Sequence, residues 1–256
     1  MSASGAAKLS VNVNKVATLR NSRGGTLPRV LDAVQVAIDA GAAGITVHPR
    51  ADERHITAAD VREIAAHLEP LRGRIEFNIE GDPRPGLVEL VLAVRPDQCT
   101  LVPVFPGEVT SQAGWPADTP AASLAAIASR FHAAGVRVSL FVDPEEAPVR
   151  WASSIGADRI ELYTEPFARA FAAGPDPARR SFARYVAAAE TAGAAGLGVN
   201  AGHDLDLENL VLFRTLPHLA EVSIGHALIS HALFVGLDRA VRDYLAALEG
   251  RHTSPA

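Results

Sequence analysis

"DAGAAGITVH", residues 39–48, decides how the chain is read. A helix ends at Asp39-Ala40, Gly41 supplies the stop, and Gly44-Ile45-Thr46-Val47 is a short buried strand running into a histidine. The same order recurs in "HAAGVRVSLFVD" at 132–143 and "SIGADRIELYT" at 154–164. Helix end, glycine, strand is the step of a βα fold, not of a solenoid array. Working outward, the pattern predicts strands at 9–15, 44–47, 74–79, 99–104, 136–143, 159–164, 197–200 and 221–224. Several are almost continuously apolar, as expected of parallel strands buried on both faces.

Helical periodicity fills the intervals. Leu31, Val34 and Ile38 share one face, and Leu124, Ile127 and Phe131 share another. Thr57-Ala58-Ala59-Asp60 resembles a capping box opening a helix with Val61, Ile64 and Leu68 on one side. A last helix is expected to carry Leu233, Leu237, Val241 and Leu245. Eight strands alternating with eight helices in 256 residues match a single-domain α/β (β/α)₈ TIM barrel, with flexible ends at 1–8 and 250–256. The rival, an open doubly wound sheet, usually carries a glycine-rich dinucleotide turn after the first strand, and none is present. The stretch 103–120, PVFPGEVTSQAGWPADTP, reads as a long loop after strand four and a lid.

Composition narrows function. A net charge of −5 and a pI of about 6.0 provide no global field for nucleic acid or an anionic membrane. The single cysteine, Cys99, cannot form an internal disulfide, which fits a reducing cytoplasm. No apolar run reaches the ~20 residues of a membrane span, and the first ten residues lack a signal-peptide core.

In a barrel the strand ends open on one face, where the active site sits. The first strand brings Asn12, Asn14 and Lys15, followed by Arg20 and Arg23. The second brings His48, Arg50 and His55, and the third Glu76, Asn78 and Glu80. Further loops add Thr110, Asp143, Glu161, Asn200, His203, Gly225 and His226, so four of the nine histidines gather here. Arg50 offers a planar fork, His55 a ring donor and Thr110 a hydroxyl, which together can grip a phosphate. "VNAGHD" and "SIGHAL" suggest a second anion site, with Gly202 and Gly225 admitting backbone N–H groups. Two grips on one pocket imply a bisphosphate or two phosphorylated substrates. Glu76 and Glu161 lie in apolar strands, where desolvation raises a carboxyl toward a useful base; on that reading Glu76→Gln is expected to abolish turnover. His48 and His203 can move protons near neutral pH. Lys15 can serve as a phosphate or carboxylate counter-ion or form a Schiff base. His48, Glu76, His203 and His226 could converge on a metal, but the first strand reads N-V-N where metallohydrolase barrels carry H-x-H.

With those residues in place, the chain resembles the pyridoxine 5′-phosphate synthase family of vitamin B6 biosynthesis. The matching phrases run in order: "VNVNKVATLRNSRGG", "GITVHPRADERHIT", "RIEFNI", "EVT", "VSLFVD", "IELYT", "VNAGHDL" and "SIGHALI". The resemblance implies a TIM barrel forming a homo-oligomer, an octamer in the family. It also implies condensation of 1-deoxy-D-xylulose 5-phosphate with 3-amino-2-oxopropyl phosphate, giving pyridoxine 5′-phosphate, phosphate and water without metal or organic cofactor. By motif position it implies His48 and Glu76 as bases, His203 as acid and Glu161 as a stabiliser of charge in the transition state. Arg50, His55 and Thr110 are implied to hold deoxyxylulose phosphate. Asn12, Arg23, Gly225 and His226 are implied to hold the amino ketone, with Asp204 nearby. The chain departs from the family at Asn14-Lys15, where many members have Asp-His; both are counted among the substrate contacts. It departs also at Val104, where a glutamate is common, and at Asp204, where a glycine is frequent. Two other readings fit the same residues: a different phosphosugar lyase or isomerase on the same barrel, or a non-catalytic barrel that binds phosphorylated metabolites.

Overall fold

The glycine stops behave as their spacing demands. In the computed structural model, which describes residues 7–103 and 113–251, Gly41, Gly135 and Gly156 take φ of 108°, 78° and 87°. Such angles favour glycine, and each turns the chain from a helix into the next strand. Eight strands follow: β1 (Lys8–Asn12), β2 (Gly44–Val47), β3 (Glu76–Gly81), β4 (Gln98–Leu101), β5 (Arg137–Val142), β6 (Arg159–Leu162), β7 (Gly198–Gly202) and β8 (Leu219–Ile224). All neighbours are parallel, and β8 pairs back onto β1, closing the barrel in chain order. Closure excludes the open doubly wound sheet.

Around it lie α1 (Asn14–Asn21), α2 (Val30–Asp39), α3 (Ala58–Leu68), α4 (Pro85–Val94), α5 (Ala121–Ala133) and α6 (Glu146–Ile155). They are followed by α7 (Glu165–Ala172), α8 (Pro175–Ala194), α9 (Leu210–Phe213), α10 (His226–Val235) and α11 (Leu237–Leu248). Eleven helices among the described residues replace the eight expected, because the connections after β1, β6 and β8 each hold two. The single last helix becomes two. Gly236, at φ 85°, breaks it, leaving Leu233 exposed on α10 while Val241 is buried on α11. The first strand is also shorter than expected, since Asn14 and Lys15 belong to the first turn of α1. No helix among the described residues is long and apolar enough to cross a membrane.

The capping box of α3 is present as read. Thr57 Oγ1 accepts the Asp60 N–H at 3.2 Å, and Asp60 Oδ2 accepts the Thr57 N–H at 2.8 Å. Arg20 of α1 then bonds the same carboxylate at 2.5 Å, tying α1 to α3 beside the second loop. Thr57→Ala is expected to cost about 1 kcal/mol, read as a lower chemical-denaturation midpoint with an unchanged slope.

One face of each strand is apolar, the other is not. Val11, Ile45, Ile79, Leu101, Leu140, Leu162, Ala201 and Val222 are buried against the helices. The alternate residues, facing the lumen, are Ser10, Thr46, Asn78, Thr100, Ser139, Glu161, Asn200 and Glu221, all buried. Barrels of this kind are usually filled with branched apolar side chains, so the inner half of the expected apolar run is replaced by polar groups. Around β1–β4 these satisfy one another: Ser10 with Thr46 at 2.7 Å, Asn78 with Thr46 at 3.4 Å, and Thr100 donating to Asn78 at 3.1 Å. Around β5–β8 they do not. Ser139 Oγ, Glu161 Oε2, both amide atoms of Asn200, Glu221 Oε1 and Ser223 Oγ lack protein partners.

The expected flexible ends lie mostly outside the described residues; at their inner edges Lys8 opens β1 and the Arg251 N–H bonds Ala246 O. Of the loop expected to be a lid, 104–112, with Val104 and Thr110, lies outside the described residues. Its returning limb is anchored on the barrel mouth: the Trp115 indole donates to Leu101 O at 2.9 Å, and the Gly114 N–H to Asp143 Oδ1 at 3.1 Å.

Candidate active site

Pro49, the second residue past β2, cannot donate to a strand ladder, so the chain leaves the barrel at His48. Asn12 closes β1, and its Oδ1 accepts the Asn14 N–H at 3.0 Å. Asn14 Oδ1 in turn accepts the His48 N–H at 2.9 Å. These two amides fix where the His48 side chain enters the mouth. Here a cavity of about 520 Å³ opens, a size suited to small phosphorylated molecules. The segments after β1 and β2 contribute Lys15, Arg50, Arg54 and His55; β8 and the segments after β7 and β8 contribute His203, Asp204, Ser223, Gly225 and His226. Asn12, His48, Glu80, Tyr163 and Glu165 also line it. The N-terminus of α10 therefore faces the cavity beside the β8 loop, where a helix's positive end favours an anion.

The two glycines of the expected second anion site differ. A Cβ on Gly202 would lie 2.1 Å from Ser223 O, so this glycine serves close strand packing and does not line the cavity. Gly225 does line it, packed against Asn12. The residue after Gly202 is His203, at φ 32°, an uncommon conformation for a side-chain-bearing residue and one often stored at functional sites. Its ring packs 5.8 Å from that of Phe141.

His48 Nδ1 stands 3.9 Å from Glu80 Oε2, facing but not hydrogen-bonded, and His48 Nε2 has no protein partner. Burial, then the charges of Arg50, His55, His203 and Arg84, push the imidazole well below its ordinary range. Burial, then Glu161 and Glu221, push the Glu80 carboxyl well above its own. An imidazole that resists protonation thus faces a carboxyl that holds its proton more tightly than an exposed one. His55 is lowered to about 4 by burial, Arg50, Lys15 and Arg54. Its Nδ1 accepts the Ile56 N–H at 2.9 Å, so the ring proton sits on Nε2 as a donor. His203 is lowered by burial and Lys15 against the opposing charge of Asp204.

Glu76 is misplaced in the sequence reading. It begins β3, at the opposite end of the barrel, where its carboxylate pairs with Arg137 and with Arg159 at 3.1 Å. The strand starts two residues later than expected, so the residue at the mouth is Glu80, two pleats further along the same face. Glu161 lies in the lumen and is not on the cavity wall. Arg23 is exposed after α1 and does not line the cavity, and Thr110 lies outside the described residues. Arg54 lines the cavity while also pairing with Asp52. Tyr163 and Glu165 were missed, although Tyr163 follows β6 directly in "IELYT". No group of three or more potential metal ligands is assembled among the described residues.

These ionisation states make stability depend on pH in a defined direction. Burial raises Glu161 from 4.5 to about 8 and Glu221 to about 7. Their stabilisation is complete below pH 4.5 and is lost as pH rises through those values. The depressed histidines act oppositely, destabilising only as pH falls below 6.5. The thermal midpoint is therefore expected to fall between pH 6.5 and 8.5, and a midpoint that rises there contradicts the protonated lumen. Scanning calorimetry across that range reads it.

Comparison with known proteins adds to this geometry. The family described as "Pyridoxal phosphate biosynthesis protein PdxJ" matches residues 9–250. The chain is 52% identical over 241 residues to the pyridoxine 5′-phosphate synthase of Bacteroides thetaiotaomicron, covering 93% of this chain and 97% of that protein. It is 49% identical over 251 residues to the one from Leptospira biflexa, covering 94% and 96%. Among solved structures, phosphoribosyl anthranilate isomerase from Thermotoga maritima aligns with a TM-score of 0.60 at 12% identity, covering 95% and 99% of the two chains. At that identity the likeness concerns the barrel alone.

Proposed function

This chain belongs to the PdxJ family of pyridoxal phosphate biosynthesis proteins, and from that membership we propose that it is a pyridoxine 5′-phosphate synthase. It condenses 1-deoxy-D-xylulose 5-phosphate with 3-amino-2-oxopropyl phosphate, releasing phosphate and water. The observation that carries the reading is one cavity that gathers Lys15, Arg50, His55, His203 and His226 around His48 and Glu80, whose side chains face each other at 3.9 Å. Arg50 and His55, with Thr110, hold the deoxyxylulose phosphate. Asn12, Gly225 and His226 at the start of α10 hold the amino ketone phosphate, with Asp204 beside them. Lys15 and Asn14 border the same space, and the Lys15 ammonium adds positive charge for a phosphate oxygen.

The chemistry needs an amine to add to a ketone, water and phosphate to leave, and an aldol-type closure to form the ring. Each step moves a proton. His48, neutral and open at Nε2, accepts one; Glu80 takes the role first read onto Glu76; His203 serves as acid across the cavity. Glu161, below, stabilises developing charge. We place the enzyme in the cytoplasm, supported by its lone cysteine, Cys99, which is buried and reduced. We read it as a homo-oligomer, supported by Leu27, Leu233 and Phe234, which are 71%, 71% and 89% exposed.

Incubating the purified protein with both substrates is expected to yield pyridoxine 5′-phosphate with one phosphate released per product. Neither product appearing would overturn the reading. Lys15 on the cavity wall supports one rival, a Schiff-base phosphosugar lyase; borohydride trapping of a substrate on Lys15 would favour it.

A further inference from the structure

Three carboxyls descend the lumen beneath the cavity, and the mechanism uses two of them. Glu80 is at the mouth, Glu161 is one layer down, and Glu221 lies near the floor; each is 1–2% exposed. In the ladder Glu161 is level with Asn200, and Asn200 with Glu221. Both atoms of the Asn200 amide, Oε2 of Glu161 and Oε1 of Glu221 lack protein partners. Each carboxyl thus keeps one buried oxygen without a protein partner, on ladder positions linked through Asn200, and two anions there would repel.

Their charged surroundings differ. Glu221 is faced by Lys8 from β1, Glu76 from β3, Arg137 from β5, and Arg159 and Glu161 from β6. The floor cations favour its anion, although Glu76 is already paired with both arginines. Glu161 is influenced by Glu221, and Glu80 above it by both. The side chains facing from β2, β4 and β7 at this level, Thr46, Thr100 and Asn200, are uncharged.

We propose that Glu221, out of reach of substrate, is a positioning residue that sets the charge on Glu161: the two carboxyls hold one proton between them, kept by Glu161, while Glu221 carries the negative charge toward the floor arginines. Glu161 then meets the reaction as a neutral acid. If it gives up its proton to the site, two anions face each other, and the proton is drawn back. The pair begins and ends each turnover with one proton and one charge.

The test is a carboxyl titration of the intact protein, by infrared difference spectroscopy of the protonated carboxyl stretch, with Glu161→Gln assigning the Glu161 band. In wild type the Glu161 band is expected to disappear near pH 8, where burial and Glu221 hold it. In Glu221→Gln its midpoint is expected about one pH unit or more lower. The corresponding limb of the kcat profile should move with it at unchanged KM; that kinetic half rests on the synthase reading. A midpoint unmoved in folded Glu221→Gln overturns the inference. Should that variant not fold, Glu161→Gln tests the assignment: Glu221 ionises beside a neutral neighbour in both proteins and keeps its wild-type step, whereas a step about one pH unit or more lower means that Glu161 ionises first and overturns the inference. The titration needs no substrate. An inactive wild type would sink the synthase reading and leave this measurement standing.

Discussion

Glu80→Gln is expected to lower kcat for pyridoxine 5′-phosphate formation by about 10²–10⁴-fold with little change in KM. Glu80 is buried at the mouth of the barrel, and its carboxyl faces the His48 ring at 3.9 Å. Burial and the two carboxyls below raise its proton affinity well above that of an exposed glutamate, which suits it to exchange a proton within the catalytic cycle. Glutamine preserves shape and hydrogen-bonding capacity but cannot exchange that proton. The groups proposed to hold phosphate, Arg50, His55, Gly225 and His226, are left in place, so binding persists. Steady-state kinetics with both substrates varied reads the two parameters separately. A wild-type kcat would remove Glu80 from the mechanism.

The second large effect concerns the other glutamate of β3 and has the opposite signature. Glu76→Gln is expected to destabilise the fold by about 2 kcal/mol, lowering the thermal midpoint by about 4–8 °C, with kcat close to wild type. Glu76 pairs with Arg137 and Arg159 on the floor. Neutralising it leaves two guanidiniums partly buried together without their shared partner. The cost lies below the usual figure for a buried pair because Arg137 is 39% exposed and solvent screens it. Loss of the Glu76 charge also removes the largest charge that raises Glu221, which then ionises more readily and offsets part of the cost. Turnover lost without any change in stability would return Glu76 to the active site.

The barrel was legible because its signals are local. Glycines that must take positive φ at 41, 135 and 156 mark the passage from helix to strand, and Thr57 with Asp60 marks a helix start. Each is decided by a few neighbouring residues. The choice between Glu76 and Glu80 was not local. Both lie on the same face of β3, and only the cross-strand register with Gly44 and Gln98 says which reaches the mouth. A strand boundary two residues in error therefore moved the carboxyl from one end of the barrel to the other. The polar lumen was hidden for a related reason. Alternation within β5–β8 is visible, but that both faces are buried, one without apolar partners, depends on closure. Asn14 and Lys15 looked like strand residues until α1 was seen to begin at Asn14. His48, Arg50, His55 and His203 were found because ionisable residues directly after short apolar runs have few places to go but the mouth.

A structure with unreactive analogues of both substrates bound tests the central claim most directly. One phosphate should sit between Arg50 and His55 and the other at Gly225–His226, with the amine and ketone carbons between them, within reach of His48 and Glu80. Phosphates elsewhere on the barrel, or reacting carbons turned away from Glu80, would contradict the account.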